Sequence, residues 1–189
     1  MKSRPSLGFV RGVILLTAAA VGWDAAAGGA QPPAAPSLDE YQVKAAFVYN
    51  FAKFVEWPPG AFGSATEAFS ICVLGRNPFG RMLEAMTAGA SLNGHPFVVR
   101  QIAEAAEATS CKILFVSSSE RLRYRAILTA LKGSPVFSVG DTEGFTADGG
   151  VAELRLEEGK VRIELNTRVA KEEDLRISSR LMSLAHSQK

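Results

Sequence analysis

The residues that could do chemistry are few, and they cluster at the ends of apolar runs. Gly75-Arg76-Asn77-Pro78-Phe79-Gly80 follows the run Phe69 to Leu74 and opens a helical stretch. Its Gly-x4-Gly frame is that of a loop whose backbone N–H groups cradle phosphate. Such a loop continues with Lys and then Ser or Thr; here Arg81 and Met82 follow, so the phosphate-binding charge and the magnesium hydroxyl are both missing. Pro78 also removes a backbone donor. A tight strand-to-helix turn is the expected role. Ser117-Ser118-Ser119 stands where hydrolases place a nucleophile, but the glycines of the sharp elbow are absent. The base would have to be His95, in a turn before Pro96, or His186, three residues from the C-terminus. N-capping of a helix by Ser118 or Ser119 explains the run better. His95, His186, Cys72 and Cys111 have no metal-ligand spacing, and no acidic run resembles a calcium loop. No metal or cofactor is expected.

Parallel sheets take ligands beyond the carboxyl ends of their strands. Arg76, Asn77, Ser117, Ser118 and Asp141 would line that edge, so a small-ligand pocket belongs there if one exists. Arg121, Arg123 and Arg125 read as a solvated helix face.

The elements that would position these residues follow from periodicity. Ser37-Leu38-Asp39-Glu40 has the form of a capping box, opening a helix to about Glu56. Leu38, Tyr41, Ala45, Val48, Ala52 and Val55 recur at spacings of three and four, which marks a core face. Phe47, Phe51 and Phe54 widen the stripe, leaving Lys44, Asn50 and Lys53 as the wet positions. Trp57-Pro58-Pro59-Gly60 ends the helix. So apolar a helix either is buried on more than one side or keeps part of itself for a partner. For Phe47, Phe54 and Trp57, core burial and partner contact both stay open.

Phe69 to Leu74, Phe97 to Ile102, Lys112 to Val116 and Val136 to Val139 read as strands. Helices are expected over Pro78 to Ala88, with Met82, Leu83 and Met86 inward, over Glu104 to Ala108, and from the serine run through Leu131. Asn93-Gly94 marks a turn. Val151 to Leu156 and Val161 to Leu165 alternate at period two around Glu157-Glu158-Gly159-Lys160, a hairpin. Short helices from Thr167 and over Ser178 to Ala185 close the chain. Alternating strands and helices imply an α/β fold: one three-layer domain with a mostly parallel sheet, a C-terminal β-hairpin and flanking helices.

The N-terminus bears on which charges count. Lys2, Arg4 and Arg11, the apolar run Val13 to Gly22, and the small residues Ala25 to Ala30 have the order of a secretory signal peptide over 1–30. The run is too short for a membrane span. A Pro-rich linker, 31–36, leads to a domain over 37–189. The chain carries 21 basic and 19 acidic residues; both counts fall to 18 once Lys2, Arg4, Arg11 and Asp24 are set aside. The mature domain is formally neutral, which argues against a nucleic-acid partner. In an exported chain, the even pair Cys72 and Cys111 suggests a disulfide, with two buried thiols as the alternative.

Tyr41 to Pro58 (YQVKAAFVYNFAKFVEWP) resembles the opening helix of the YfiR-like family. Val73 to Gly80 is similar to its first strand–turn–helix. Gly144-Phe145, Gly149-Gly150 with the hairpin, and Leu165-Asn166 resemble its next block, and Leu175 to Ala185 its terminal helix. The resemblance implies a periplasmic regulator without catalytic activity. Its partner would be the periplasmic region of an inner-membrane diguanylate cyclase, which it inhibits, lowering cyclic-di-GMP and biofilm formation. An OmpA-like outer-membrane lipoprotein would relieve that repression. Cys72 and Cys111 match one cysteine pair of the family's name-giving member; a second pair has no counterpart here. A homodimer is compatible with this reading. The alternative function is a periplasmic ligand-sensing or solute-binding domain feeding another membrane receptor, such as a histidine kinase. A serine hydrolase built on the serine run is a third.

Overall fold

The structure is a computed structural model that describes residues 38–186. The expected signal peptide and linker, and Ser37 of the expected capping box, lie outside the described residues. Helix α1 spans Leu38–Phe54 and stops two residues short of the expected end, because Val55–Glu56 (β1) turns extended and pairs antiparallel with Arg176–Ile177 (β9). No helix among the described residues is long and apolar enough to cross a membrane.

The main sheet runs β3-β4-β2-β5-β6-β7-β8. Its strands are β2 (Phe69–Leu74), β3 (Ser91–Leu92), β4 (His95–Ile102), β5 (Ile113–Val116), β6 (Phe137–Gly140), β7 (Ala152–Glu157) and β8 (Lys160–Leu165). The five from β4 to β7 in spatial order are mutually parallel, while β3 and β8 close the two edges antiparallel. Spatially the second parallel strand precedes the first, the doubly wound order in which connections change side between β2 and β5. Strands β2, β5 and β6 are buried along their whole length, which is why they read as apolar runs interrupted only by Ser70 and Ser138.

Alternation across the pleat splits the core in two. Ile71, Val73, Ile113, Phe115, Phe137 and Val139 face α1, α2 (Met82–Thr87), α4 (Thr167–Glu172) and α5 (Ser179–His186). Cys72, Leu74, Leu114 and Val116 face α3 (Tyr124–Leu131) and a 3-10 turn over Ala105–Ser110. Three layers result, with the hairpin β7–β8 closing the sheet. Leu154 pairs with Ile163 and Leu156 with Val161 as the alternation predicts, and Glu158 (φ 50°) with Gly159 (φ 75°) makes the two-residue turn.

Three further stretches depart from the expected helices in length or type. Helix α2 begins at Met82 rather than Pro78, because Asn77 organises the preceding turn: Asn77 Oδ1 accepts from Phe79 N–H at 2.9 Å and Asn77 Nδ2 donates to the Gly80 carbonyl at 3.1 Å. The stretch after Glu104 is 3-10 rather than α, with Glu107 Oε1 accepting from Glu104 N–H at 3.1 Å. The serine run makes only a 3-10 turn, Ser118–Glu120, before α3 starts at Tyr124. The cap of that turn is Ser117, whose hydroxyl accepts from Ser119 N–H, not Ser118 or Ser119.

Candidate functional site

The carboxyl edge between β2 and β5 is the place where this topology offers a ligand crevice, and it is built as follows. β2 ends at Leu74, and Gly75 adopts φ +90° so that the chain can turn back. A Cβ there would lie 2.5 Å from Ser119 Oγ and 2.6 Å from Glu120 Oε1, so only glycine fits. Ser119 Oγ accepts from the Arg76 N–H at 2.9 Å. The would-be phosphate cradle is therefore occupied by the protein's own serine, consistent with a structural turn.

Beside it lies a buried polar cluster that joins two of the expected pocket residues. Tyr41, from the first turns of α1, donates to Asp141 Oδ2 at 2.8 Å and is also hydrogen-bonded to Ser118. Burial first, and then the Asp141 carboxylate, push the Tyr41 phenol well above its ordinary range. Lys44 completes the cluster. Its ammonium lies 2.6 Å from Glu40 and 3.6 Å from Asp141, and only 3% of the residue is exposed. Lys44 is thus not a wet position. Glu40 stands one turn back on the same helix, whereas Asp141 comes from just after β6 and is invisible to helical periodicity. Asp141 Oδ1 is buried without a hydrogen-bond partner. Of the other expected pocket residues, Asn77 organises the turn before α2, Ser117 caps the 3-10 turn, and the Arg76 side chain is exposed.

His95 is equally committed. Its Nδ1 lies 2.7 Å from the Glu67 carbonyl and its ring stacks on Phe62 with centroids 3.9 Å apart. Lys112, buried on the other side of that loop, reaches Glu67 at 3.0 Å and lies 4.7 Å from the Phe62 ring centroid. The Lys112 hydrogen bond holds the Glu67 carboxyl below its ordinary range. This cluster anchors the 57–68 loop. The side chain of His186 lies outside the described residues. Cys72 and Cys111 form a disulfide, with Cα atoms 5.9 Å apart, which ties β2 to the end of the 3-10 turn, two residues before β5. Such bonds persist in oxidising compartments.

The aromatic residues of α1 divide between two places. Phe47 is half-buried on the floor of an open, apolar groove of about 610 Å³ between α1 and α2, walled by Val43, Met82 and Met86. Trp57 packs edge-on against Phe69 at 4.9 Å, and Phe54 lies under the Arg180 guanidinium at 5.7 Å. All three lean on the main core while keeping some exposure. Met86 does not face inward as expected: α2 has only six residues, and Leu83 and Thr87 supply its buried side, with the Thr87 hydroxyl donating to the Leu83 carbonyl at 2.8 Å. The signal for the groove was present in the apolar excess of α1, but Val43 was not singled out.

A model of the YfiR/HmsC-like family matches residues 41–186, from the polar cluster to the last helix. The chain belongs to the YfiR/HmsC-like family. Members of this family are known as periplasmic regulators of diguanylate cyclases. Among solved structures, a conserved domain protein from Vibrio cholerae O1 biovar El Tor is similar in fold, with a TM-score of 0.51 and 13% sequence identity. The match covers 77% of this chain and 58% of that one, so the YfiR/HmsC-like chain spans little more than half of its neighbour's length. No curated protein matches it.

Proposed function

We propose that this protein is a periplasmic regulator that binds the periplasmic region of an inner-membrane diguanylate cyclase and holds its output down. The observation that carries this reading is membership of the YfiR/HmsC-like family along the whole folded domain, 41–186. The groups that could have done chemistry support it. The serines, His95 and the cysteines are each engaged in holding the fold together. Repression of this kind needs no catalysis. It needs only higher affinity for one state of the target.

The anchor for the cyclase on this reading is the Trp57 end of α1, where Trp57, Pro58, Pro59 and Arg176 border a concavity of about 570 Å³. A partly buried tryptophan beside a basic residue is the composition of an interface hot spot. An OmpA-like outer-membrane lipoprotein that captures the regulator would release the cyclase. The test is cellular cyclic-di-GMP in a strain lacking the gene. A rise that the wild-type gene reverses supports the reading, and an unchanged level in cells that normally express the protein overturns it. A Trp57→Ala gene product that folds with an unchanged melting temperature but does not restore repression locates the anchor.

A further inference from the structure

The main sheet has an open edge at β4. Strand β3 has two residues and covers only the start of β4, at His95 and Pro96, after which the Phe97 N–H donates to the Ala90 carbonyl at 3.1 Å. Beyond that point the direction of each backbone group follows from β2. The Ser70 and Leu74 carbonyls of β2 accept from Lys112 N–H and Ser117 N–H on the β5 side. The alternate residues Phe69, Ile71 and Val73 therefore turn their backbone groups to β4, where Val98, Arg100 and Ile102 complete the ladder. The N–H and C=O groups of Val99 and Gln101 are left pointing outward, and among the described residues they have no hydrogen-bond partner. The side chains beside them are unlike. Val98 is 41% exposed, and Arg100 stands two residues on along the same face. Arg100 Nη1 donates to Ser110 Oγ at 3.1 Å, and no carboxylate among the described residues pairs with its guanidinium.

We propose that the outer edge of β4 takes up an extended segment of a partner protein as an added strand. That segment carries an apolar residue beside Val98 and an acidic residue beside Arg100, two positions apart. Strand addition of this kind draws its affinity from main-chain hydrogen bonds and its specificity from alternate side chains. Val99 and Gln101 supply the main-chain groups, and Val98 and Arg100 supply the selection. Folded proteins close such edges with short strands, prolines or bulges. Here the short strand and Pro96 protect only the first residues of an eight-residue strand. Arg100 is the one charge between Val98 and Ile102, and β4 has no acidic residue. A second copy pairing its own β4 therefore offers that guanidinium no counter-charge, whereas an acidic segment does. The edge also begins beside the Trp57 end, since Trp57 packs on Phe69 at 4.9 Å and Phe69 on Phe97 at 5.0 Å. A partner seated at Trp57 has the edge within reach. A peptide probe tests the edge itself, whichever partner bears the segment.

The test is an NMR titration of the nitrogen-15-labelled mature protein with the capped peptides Thr-Val-Thr-Glu-Thr and Thr-Glu-Thr-Val-Thr. The two orders suit parallel and antiparallel addition. At least one is expected to give saturable shifts centred on the Val99 and Gln101 amides, with slowed hydrogen exchange at both. Lys in place of Glu in that peptide is expected to weaken binding by about threefold or more, because like charges then stand opposite each other. Arg100→Glu is expected to reverse the preference between the two peptides. Arg100 is exposed, so its melting temperature should match wild type. Gln101→Pro removes an outward donor and no ladder bond, and is expected to abolish the shifts. Absence of saturable shifts up to millimolar peptide overturns the proposal. So do shifts centred on the α1/α2 groove, a Lys peptide that binds as tightly as the Glu peptide, a preference that survives Arg100→Glu, or full binding to Gln101→Pro. Shifts at Val99 and Gln101 that grow with protein concentration alone would give the edge to a second copy and overturn it equally.

Discussion

One sheet in this protein carries two unlike coverings. On the α1 side, rings pack on rings beneath and around a 17-residue helix: Phe51 of that helix meets Phe137 at 5.1 Å, Phe79 meets Phe115 at 4.6 Å, and Phe69 meets both Phe97 at 5.0 Å and Trp57 at 4.9 Å. On the α3 side, the cover is an eight-residue helix and a 3-10 turn. There the disulfide Cys72–Cys111 spans the gap, and Phe145 fills a notch that exists because Gly140 and Gly150 have no Cβ; either added carbon would collide with its ring. The difference shows two routes to one end. A long helix stabilises its face by area, whereas a short covering depends on a covalent tie and close local fit.

The strongest way to break this contrast is to empty the aromatic side. Phe115 is fully buried between the sheet and Phe79. Phe115→Ala is expected to cost about 3–5 kcal/mol in urea unfolding, from lost transfer energy plus the cavity left behind. Its neighbour Leu114 is equally buried but faces the thin side. If Leu114→Ala costs more than Phe115→Ala, the aromatic side is not the main source of stability.

A smaller effect is expected from the tie. Replacing both Cys72 and Cys111 by Ala opens a closure of 39 residues and is expected to cost about 2–4 kcal/mol. Hydrogen exchange should rise first in α3 and the 3-10 turn, while α1 stays protected. Equal loosening of both layers would mean that the disulfide supports the sheet as a whole rather than its thinner cover.

Much of this architecture was legible because it is written locally. Strands β2, β5 and β6 are buried along their length and largely apolar, and the hairpin alternates around Glu158-Gly159. The missed features depend on partners far along the chain or on side chains that redirect the backbone. The β1–β9 pair has two residues on each strand and no period to detect. The start of α2 is delayed by one asparagine side chain. At the carboxyl edge, Tyr41 is the link between Ser118 and Asp141, yet it stands 100 residues from Asp141 and reads from sequence as an ordinary core position. Lys44 was misplaced for the same reason: a charge looks wet until its carboxylates are known. The groove was half visible, through Phe47 and the unusual apolarity of α1, while Met86 was turned the wrong way by a helix shorter than its pattern implied.

The mildest test probes a polar seam on the α1 side. Tyr41 holds its proton in the folded state to higher pH than in the unfolded chain, because burial and the Asp141 carboxylate both disfavour the phenolate. Between the ordinary phenol value of about 10 and the higher folded value, the native state binds more protons than the unfolded state. Stability is therefore fully present below pH 10 and declines as pH rises beyond it. Tyr124, hydrogen-bonded to Asp148, is shifted in the same direction on the α3 side. Comparing Tyr41→Phe with wild type isolates the α1 contribution. The variant is expected to lose about 1 kcal/mol at neutral pH, the usual net worth of one hydrogen bond. Its melting temperature should then fall less steeply from pH 9.5 upward. An alkaline limb as steep as that of wild type would mean that the Tyr41–Asp141 contact does not persist in solution, and that α1 is held to the sheet by its rings alone.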